Sequence, residues 1–136
     1  MTELIKPQLG DKCFDPACGT FGFMIAANRY VNAHNDMYAL SDRQADFQQN
    51  KAFNGVELVH ETHRLALMNA YLHNMNANIT LGDSLAQSAK GLKDFDVILT
   101  NPPFGTKKGG ERATRDDISF QTSNKQLNFL QVIYRS

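Results

Sequence analysis

The sequence has 136 residues, of which 42% are hydrophobic and 21% are charged, as is ordinary for a single globular domain. Its 14 basic residues balance its 14 acidic ones, so it lacks the positive excess of proteins that grip the DNA backbone by themselves. Two cysteines are too few for a disulfide framework or a four-ligand zinc site. The sequence also has no apolar run of the roughly 18 residues that a membrane-spanning helix needs. We therefore expect one domain over residues 1–136, located in the cytoplasm, without a metal site or membrane contact.

Four short strands are predicted along the chain, each an apolar run bounded by polar or glycine-bearing turns. They cover residues 12–15, 52–57, 78–81 and 95–100. The last has a continuous apolar centre, as expected of a parallel strand that is covered on both faces.

Helices are predicted between and after these strands, where apolar residues recur at helical spacing, with one further short helix in the polar, irregular stretch of residues 36–51. They cover residues 22–35, 42–49, 60–76 and 127–134. Ser123 or Asn124 caps the last helix. In the third helix, the large apolar residues are expected to face the sheet: Leu65, Leu67, Met68, Tyr71 and Leu72. Alternating strands and helices predict a doubly wound, mostly parallel α/β sheet, whose ligands bind outside the carboxyl ends of the strands.

A glycine-bearing turn follows the first strand, with the sequence Asp-Pro-Ala-Cys-Gly-Thr-Phe-Gly-Phe from Asp15 to Phe23. Gly19 and Gly22 let the backbone turn tightly, and the next helix offers unpaired N–H groups to an anion. Asp15 would repel phosphates but attract a cation, so the turn suits S-adenosylmethionine, which carries a carboxylate, an ammonium and a sulfonium. The alternative is a strand-to-helix turn without a ligand, because a single G-x-x-G is a weak signal. A packing role is favoured for Cys18, since no base partner is evident.

Carboxylates also follow the second and third strands. Glu57 lies where an acceptor for ribose hydroxyls is common, and Asp83 is placed to accept from the amino group of a cofactor adenine. Each residue by itself is more often a solvated loop carboxylate. Acids at three successive strand ends favour one shared cofactor site.

The fourth strand runs directly into Asn101, Pro102, Pro103 and Phe104. Each proline fixes its own backbone and restricts the preceding residue, so the segment is rigid and its carbonyls point outward. The Asn101 side-chain oxygen and the Pro102 carbonyl would accept the hydrogens of an adenine amine and favour its attack on a methyl group. Phe104 would stack on the base, which is worth about 1–3 kcal/mol and offsets part of the cost of flipping it. The alternative is a Pro-Pro turn that ends a strand.

Residues 105–122 are rich in Gly, Lys, Arg and Asp and predict a mobile loop. The basic positions of this loop are Lys107, Lys108, Arg112 and Arg115. They either order around DNA phosphates or remain solvated. His60 and His63 are too close for the H-E-x-x-H zinc motif and are expected at the surface.

The turn from Asp15 to Phe23 and the segment from Asn101 to Gly105 together resemble the modification subunit of type I restriction–modification systems. The stretch from Gly105 to Tyr134, which includes residues 126–130, shares this resemblance, so that it covers nearly the whole chain. It implies a Rossmann-like methyltransferase fold, methyl transfer from S-adenosylmethionine to adenine N6 in DNA, and a complex with a specificity subunit and a restriction subunit. The alternatives are a methyltransferase acting on an RNA base or on protein glutamine, and a non-catalytic assembly module of the same fold.

The two motifs and the carboxylates define the expected site. The expected cofactor-binding residues are Asp15, Ala17, Cys18, Gly19, Thr20, Gly22, Phe23, Glu57, Asp83 and Ser84. The expected catalytic residues are Asn101, Pro102, Pro103 and Phe104. The sequence departs from the family at Phe21, where a small residue, often glycine, is usual, so that the ring either crowds the cofactor or points away.

The family's upstream cofactor segment and its later strands have no counterpart in this sequence. The resemblance therefore implies a partial domain that is inactive by itself. The apolar strand at residues 97–100 would then lie at an exposed edge of the sheet. We expect such a chain to self-associate or to be marginally stable.

Overall fold

The computed structural model describes residues 1–104, 115–120 and 122–136. In these residues, four parallel strands form one sheet in the order β3-β2-β1-β4. The strands are β1 (Cys13–Asp15), β2 (Phe53–Glu57), β3 (Asn78–Leu81) and β4 (Val97–Ile98). From β1 the chain proceeds to β2 and β3 on one side, and β4 then pairs with the other side of β1. The predicted α/β class and parallel sheet are confirmed, and the strand order reverses beside β1, where such folds bind their ligands.

Helices occur close to the predicted positions. They are α1 (Thr2–Ile5), α2 (Gly22–His34), α3 (Asp42–Asn50), α4 (His60–Leu72) and α5 (Lys125–Arg135), with 3-10 turns at Met37–Ala39 and Gln87–Gly91. The Ser41 hydroxyl and the Gln44 side chain cap α3 reciprocally in a capping box. Asn124 caps α5, since its side chain accepts a hydrogen bond from the Leu127 N–H. The sequence analysis did not predict α1 or the two 3-10 turns.

The main core lies between the sheet and helices α2 and α4. Its aromatic members are Phe21 and Phe53, and all three residues of β1 are buried, as expected of a central parallel strand. A second cluster joins α5 to the residues that follow β3. Its buried members are Leu85, Ile118, Phe129 and Val132. These two clusters hold the carboxyl ends of β1 and β3 against the helices.

The prediction for the buried face of α4 was wrong. Ala66 and Ala70 are the buried residues of this helix, which lets it approach the sheet closely. The five large apolar residues are between 43% and 79% exposed: Leu65, Leu67, Met68, Tyr71 and Leu72. Apolar residues occupy most of the circumference of α4, so their spacing does not select one face.

The fourth strand is shorter than predicted. Regular pairing with β1 covers Val97 and Ile98, although the Leu99 N–H still donates to the Phe14 carbonyl at 3.1 Å. Val97 and Leu99 are buried, and β4 forms one edge of the sheet as described here. Self-association through that edge remains a prediction.

The predicted loop at residues 105–122 is described only in part. Lys107, Lys108 and Arg112 lie outside the described residues. Residues 115–118 form no regular helix or strand, as predicted for a loop, but Arg115 is buried, so the interpretation of Arg115 as a solvated basic residue was wrong. The helices in the described parts of the chain are all too short or too polar to span a bilayer. No group of three or more His, Cys, Asp or Glu side chains in those parts is arranged to hold a metal ion.

Candidate active site

A cavity of about 590 Å³ opens at the carboxyl ends of the strands. Its volume falls within the range of small-molecule sites. Residues at or just after the carboxyl ends of all four strands line it: Pro16 and Ala17, Val56 to Val59, Gly82 to Leu85, and Asn101 with Pro103. Lys125 and Phe129 of α5 complete the lining. The fold thus brings together the four segments that the sequence analysis identified.

Six of the expected site residues line this cavity: Ala17, Glu57, Asp83, Ser84, Asn101 and Pro103. The other expected residues belong to the same segments but are not part of the lining formed by the described chain: Asp15, Cys18, Gly19, Thr20, Gly22, Phe23, Pro102 and Phe104. Of the turn after β1, only Pro16 and Ala17 line the cavity, and the residues that follow them lie behind the lining.

The Glu57 carboxylate links the turn after β1 to the end of β2 by hydrogen bonds. Its Oε2 accepts the Gly19 N–H at 2.9 Å, and its Oε1 accepts the Val59 N–H at 2.8 Å. The Cys18 N–H donates to the Val56 carbonyl at 2.9 Å. Because the Gly19 N–H is bonded to a carboxylate, this turn is poorly suited to a pyrophosphate group. A carboxylate has about four acceptor sites, so Glu57 can still accept hydrogen bonds from a ligand.

Asp15 is 1% exposed at the end of β1, and its Oδ1 accepts the Ala17 N–H at 3.0 Å. Burial raises the pKa of Asp15 to about 6; hydrogen bonds lower it, and the nearby Glu57 carboxylate raises it further. The ionised form is therefore costly in the protein alone. A cationic ligand in the adjacent cavity would favour that form.

Phe21 points into the core and not into the cavity. Its side chain is 0% exposed and packs against β2, where a Cβ added at Gly55 would lie 2.8 Å from the Phe21 Cε2 atom. Its φ of 72° lies in the left-handed region, which favours glycine and accounts for the small residue usual at this position. This chain accommodates the strained phenylalanine by burying its ring beneath Gly55.

Other residues of the turn have structural contacts. Burial raises the pKa of the Cys18 thiol to about 12, so it stays protonated at neutral pH, which supports a packing role. Thr20 is exposed, and its carbonyl accepts a hydrogen bond from the Asn69 side chain at 3.0 Å. Gly22 is exposed at the start of α2, while the half-buried Phe23 packs against the main core.

The residues after β3 form a second wall of the cavity. The Asp83 Oδ1 accepts the Leu85 N–H at 2.8 Å, which makes a tight local turn. Ser84 is buried, and its hydroxyl donates to the Pro16 carbonyl at 2.6 Å. The Ser84 side chain therefore joins the segments that follow β1 and β3.

The segment after β4 is presented at the surface. Asn101 and Pro103 are exposed and line the cavity, Pro102 is half-buried, and Phe104 is 79% exposed. Leu99, two residues before Asn101, is fully buried in the core. The chain thus passes from core to surface within a few residues, and the two prolines stiffen the exposed part.

Two lining residues come from α5, outside the four strand-end segments to which the sequence analysis assigned the site. Lys125 adds a positive charge to the lining, and Phe129 adds an aromatic ring. The resemblance included Phe129 in residues 126–130 but assigned it no role. The predicted helix over residues 127–134 contained Phe129 but not Lys125, and only the packing of α5 shows which of its faces meets the cavity.

Comparison with known proteins identifies the family. All 136 residues match the family model described as N-6 DNA Methylase. The chain belongs to the N-6 DNA methylase family. This result confirms the resemblance to type I modification subunits that the two motifs indicated.

Similar members of the N-6 DNA methylase family include type I methylase subunits. The chain is 46% identical to the type I restriction enzyme StySPI methylase subunit of Salmonella potsdam and 44% identical to the EcoKI methylase subunit of Escherichia coli K12. Each match covers 96% of this chain and 26% of the relative. The chain therefore spans about a quarter of the length of these curated relatives.

Solved structures support the same fold. The crystal structure of the EcoKI M protein matches with a TM-score of 0.88 and 44% identity, over 96% of this chain and 28% of that one. A modification subunit from Vibrio vulnificus YJ016 matches with a TM-score of 0.78 and 33% identity, over 99% and 28% of the two chains. The observed sheet is consistent with part of a Rossmann-like methyltransferase domain.

Proposed function

We propose that this chain forms the cofactor-binding and catalytic part of a DNA methyltransferase that uses S-adenosylmethionine and modifies adenine N6. One observation carries the proposal: a single cavity joins the turn after β1, Glu57, Asp83 and Asn101. The type I methylase subunits to which the chain is similar support a DNA base as substrate, in preference to an RNA base or protein glutamine.

The chemistry of the cavity suits S-adenosylmethionine, which would supply the methyl group when bound. Glu57 and Asp83 place negative charge at two strand ends, and the buried Asp15 adds a third carboxyl nearby. Apolar lining by Leu85 and Phe129 suits an aromatic base. Glu57 would accept from ribose hydroxyls, and Asp83 from the amino group of the cofactor adenine.

The segment after β4 would hold the target adenine. The Asn101 side-chain oxygen and the Pro102 carbonyl would accept the two hydrogens of the exocyclic amine and localise the lone pair on nitrogen. With S-adenosylmethionine bound to supply the methyl group, these two acceptors would orient the amine nitrogen toward it, and the proton lost from the methylated amine would pass to solvent at the exposed Asn101. Phe104, exposed in this structure, is available to stack on a flipped base.

Other subunits would supply most of the binding affinity for DNA. The chain has no net charge, which limits binding to phosphates by these residues alone. We propose that it works in the cytoplasm with a specificity subunit and a restriction subunit, as the resemblance to type I systems implies.

Calorimetric titration tests the cofactor assignment. We expect the full-length protein to bind S-adenosylmethionine and not NAD, because the turn after β1 presents a carboxylate where pyrophosphate would need free N–H groups. Methylation of adenine in DNA by the assembled complex would then establish the substrate. Binding of NAD with no binding of S-adenosylmethionine would overturn the proposal.

A further inference from the structure

A buried arginine lies behind the wall of the cavity that follows β3. Arg115 is 1% exposed, although the sequence pattern had grouped it with basic residues of a solvated loop. Its Nε and one terminal nitrogen donate to the two oxygens of Asp117 at 2.9 and 2.7 Å, a bidentate pair. A fully buried guanidinium is costly unless several of its donors are satisfied in fixed geometry.

The remaining terminal nitrogen of Arg115 connects this ion pair to the cavity. It donates to the Ser84 backbone carbonyl at 3.3 Å. Ser84 lines the cavity, and its hydroxyl donates to the carbonyl of Pro16, another lining residue. Arg115 is therefore hydrogen-bonded directly to Ser84, in the segment after β3, and through Ser84 it is linked to Pro16, in the segment after β1.

Neighbouring contacts hold residues 115–118 against the same wall. The Asp116 N–H donates to the Gln87 side chain at 3.1 Å, and Lys90 pairs with the Asp116 carboxylate at 2.7 Å at the surface. Ile118 packs in the cluster that contains Leu85. Polar contacts to Gln87 and Lys90 and apolar packing against Leu85 therefore both hold residues 115–118 in place.

We propose that Arg115 is a positioning residue of the cofactor site, which fixes the Ser84 carbonyl and thereby places Asp83 and Leu85 against the bound cofactor. The inference rests on the proposed function, since it assigns Arg115 to the same cavity. The planar guanidinium can bind Asp117 in bidentate fashion and reach Ser84 at the same time. A lysine ammonium keeps the charge but lacks this fork.

Arg115→Lys in the full-length protein tests the role directly. We expect the KM and Kd for S-adenosylmethionine to rise about tenfold, the effect of losing one hydrogen bond from a charged group, with kcat little changed. We also expect faster hydrogen–deuterium exchange of the amides of residues 82–86, while those of β1 remain protected. Arg29→Lys is the matched control: it makes the same substitution at an exposed position on α2 and should change neither quantity.

A second variant keeps the test valid if Arg115→Lys fails to fold. The double variant Arg115→Met/Asp117→Asn removes both charges together, so neither is left buried and unpaired. It should fold and still show the loss of cofactor affinity.

The outcomes separate this inference from the proposed function. If the wild-type protein binds S-adenosylmethionine and either folded variant binds it equally well, Arg115 has no positioning role, and the proposed function stands. If the wild-type protein does not bind S-adenosylmethionine, the proposed function and the cofactor role of Arg115 both fall.

Discussion

The turn after β1 and the segment after β4 meet at one cavity but are built in opposite ways. In the turn, Asp15, Cys18 and Phe21 are at most 5% exposed, and Glu57 holds the backbone. The segment after β4 is exposed, with Phe104 at 79%, and depends on two prolines for its rigidity. The turn after β1, which is expected to bind the cofactor, is thus anchored in the core, whereas the segment after β4, which is expected to be catalytic, lies at the surface. Substitutions in the first should change stability, and those in the second should change chemistry alone.

The largest effect is expected at Asn101. Asn101→Ala should lower kcat for methyl transfer by about 10²–10³-fold, as when one polar group that acts on the reacting atoms is lost. The Kd for S-adenosylmethionine and the free energy of unfolding should stay near their wild-type values, because the Asn101 side chain is exposed. Methylation kinetics, calorimetry and denaturation measure the three quantities.

Asn32→Ala, at an exposed position on α2, is the matched control and should leave methyl transfer intact. Equal loss of cofactor binding and methyl transfer in Asn101→Ala would contradict the contrast between the two regions. Full methyl transfer by Asn101→Ala would show that the Asn101 side chain does not act on the reacting amine.

The next effect is expected at Asp15 and depends on pH. The pKa of its carboxyl is raised from 3.8 to about 6, so the unfolded state releases this proton at lower pH than the folded state. The folded state therefore loses stability as pH rises from about 4 to about 6. Asp15→Asn should remove that loss and raise the free energy of unfolding at neutral pH by up to about 3 kcal/mol. It should also weaken binding of S-adenosylmethionine, because the buried negative charge is gone.

Urea denaturation of wild type and Asp15→Asn at several pH values between about 4 and about 6 measures how steeply the free energy of unfolding falls with pH in each protein. Glu61→Gln, at an exposed position on α4, should leave the pH dependence as in wild type. Parallel pH profiles for wild type and Asp15→Asn would show that Asp15 carries no destabilising charge.

The smallest effect is expected at Gly55, beneath which the Phe21 ring packs. The Cβ of Gly55→Ala would lie 2.8 Å from Phe21 and 3.0 Å from Cys18, so the core must shift. Overpacking of this kind costs about 1–3 kcal/mol. Adding Phe21→Leu should recover part of the loss, and thermal denaturation would measure both changes.

Gly91→Ala is the control, since an added Cβ there meets nothing within 4 Å. If Gly55→Ala were as stable as wild type, the turn after β1 would be less tightly bound to the core than this structure indicates.

Local patterns predicted most of the elements. The bounds of β3 agree with the prediction, α3 begins at the predicted Asp42, and Asn124, one of two predicted capping residues, caps α5. The buried face of α4 was not predictable in this way, because Ala66 and Ala70 carry less hydrophobic signal than the large residues around them. Packing against a sheet favours small residues where the helix must come close.

The candidate site shows the same division. Motif spacing identified Glu57, Asp83 and Asn101, which line one cavity. It did not identify Lys125 or Phe129, because their roles depend on which face of α5 meets the strand ends.

By itself, the sequence determined the family, the alternation of strands and helices, and the segments that carry the chemistry, since glycine turns, proline pairs and apolar runs act on near neighbours. The tertiary structure alone decided that Phe21 fills the core and that Arg115 is buried against Ser84. The tertiary structure also decided that the Gly19 N–H donates its hydrogen bond to the Glu57 carboxylate. These contacts join residues 31 to 38 positions apart, as in the Arg115–Ser84 and Gly19–Glu57 bonds. Such partners are selected by the packing of the whole sheet, which no local pattern encodes.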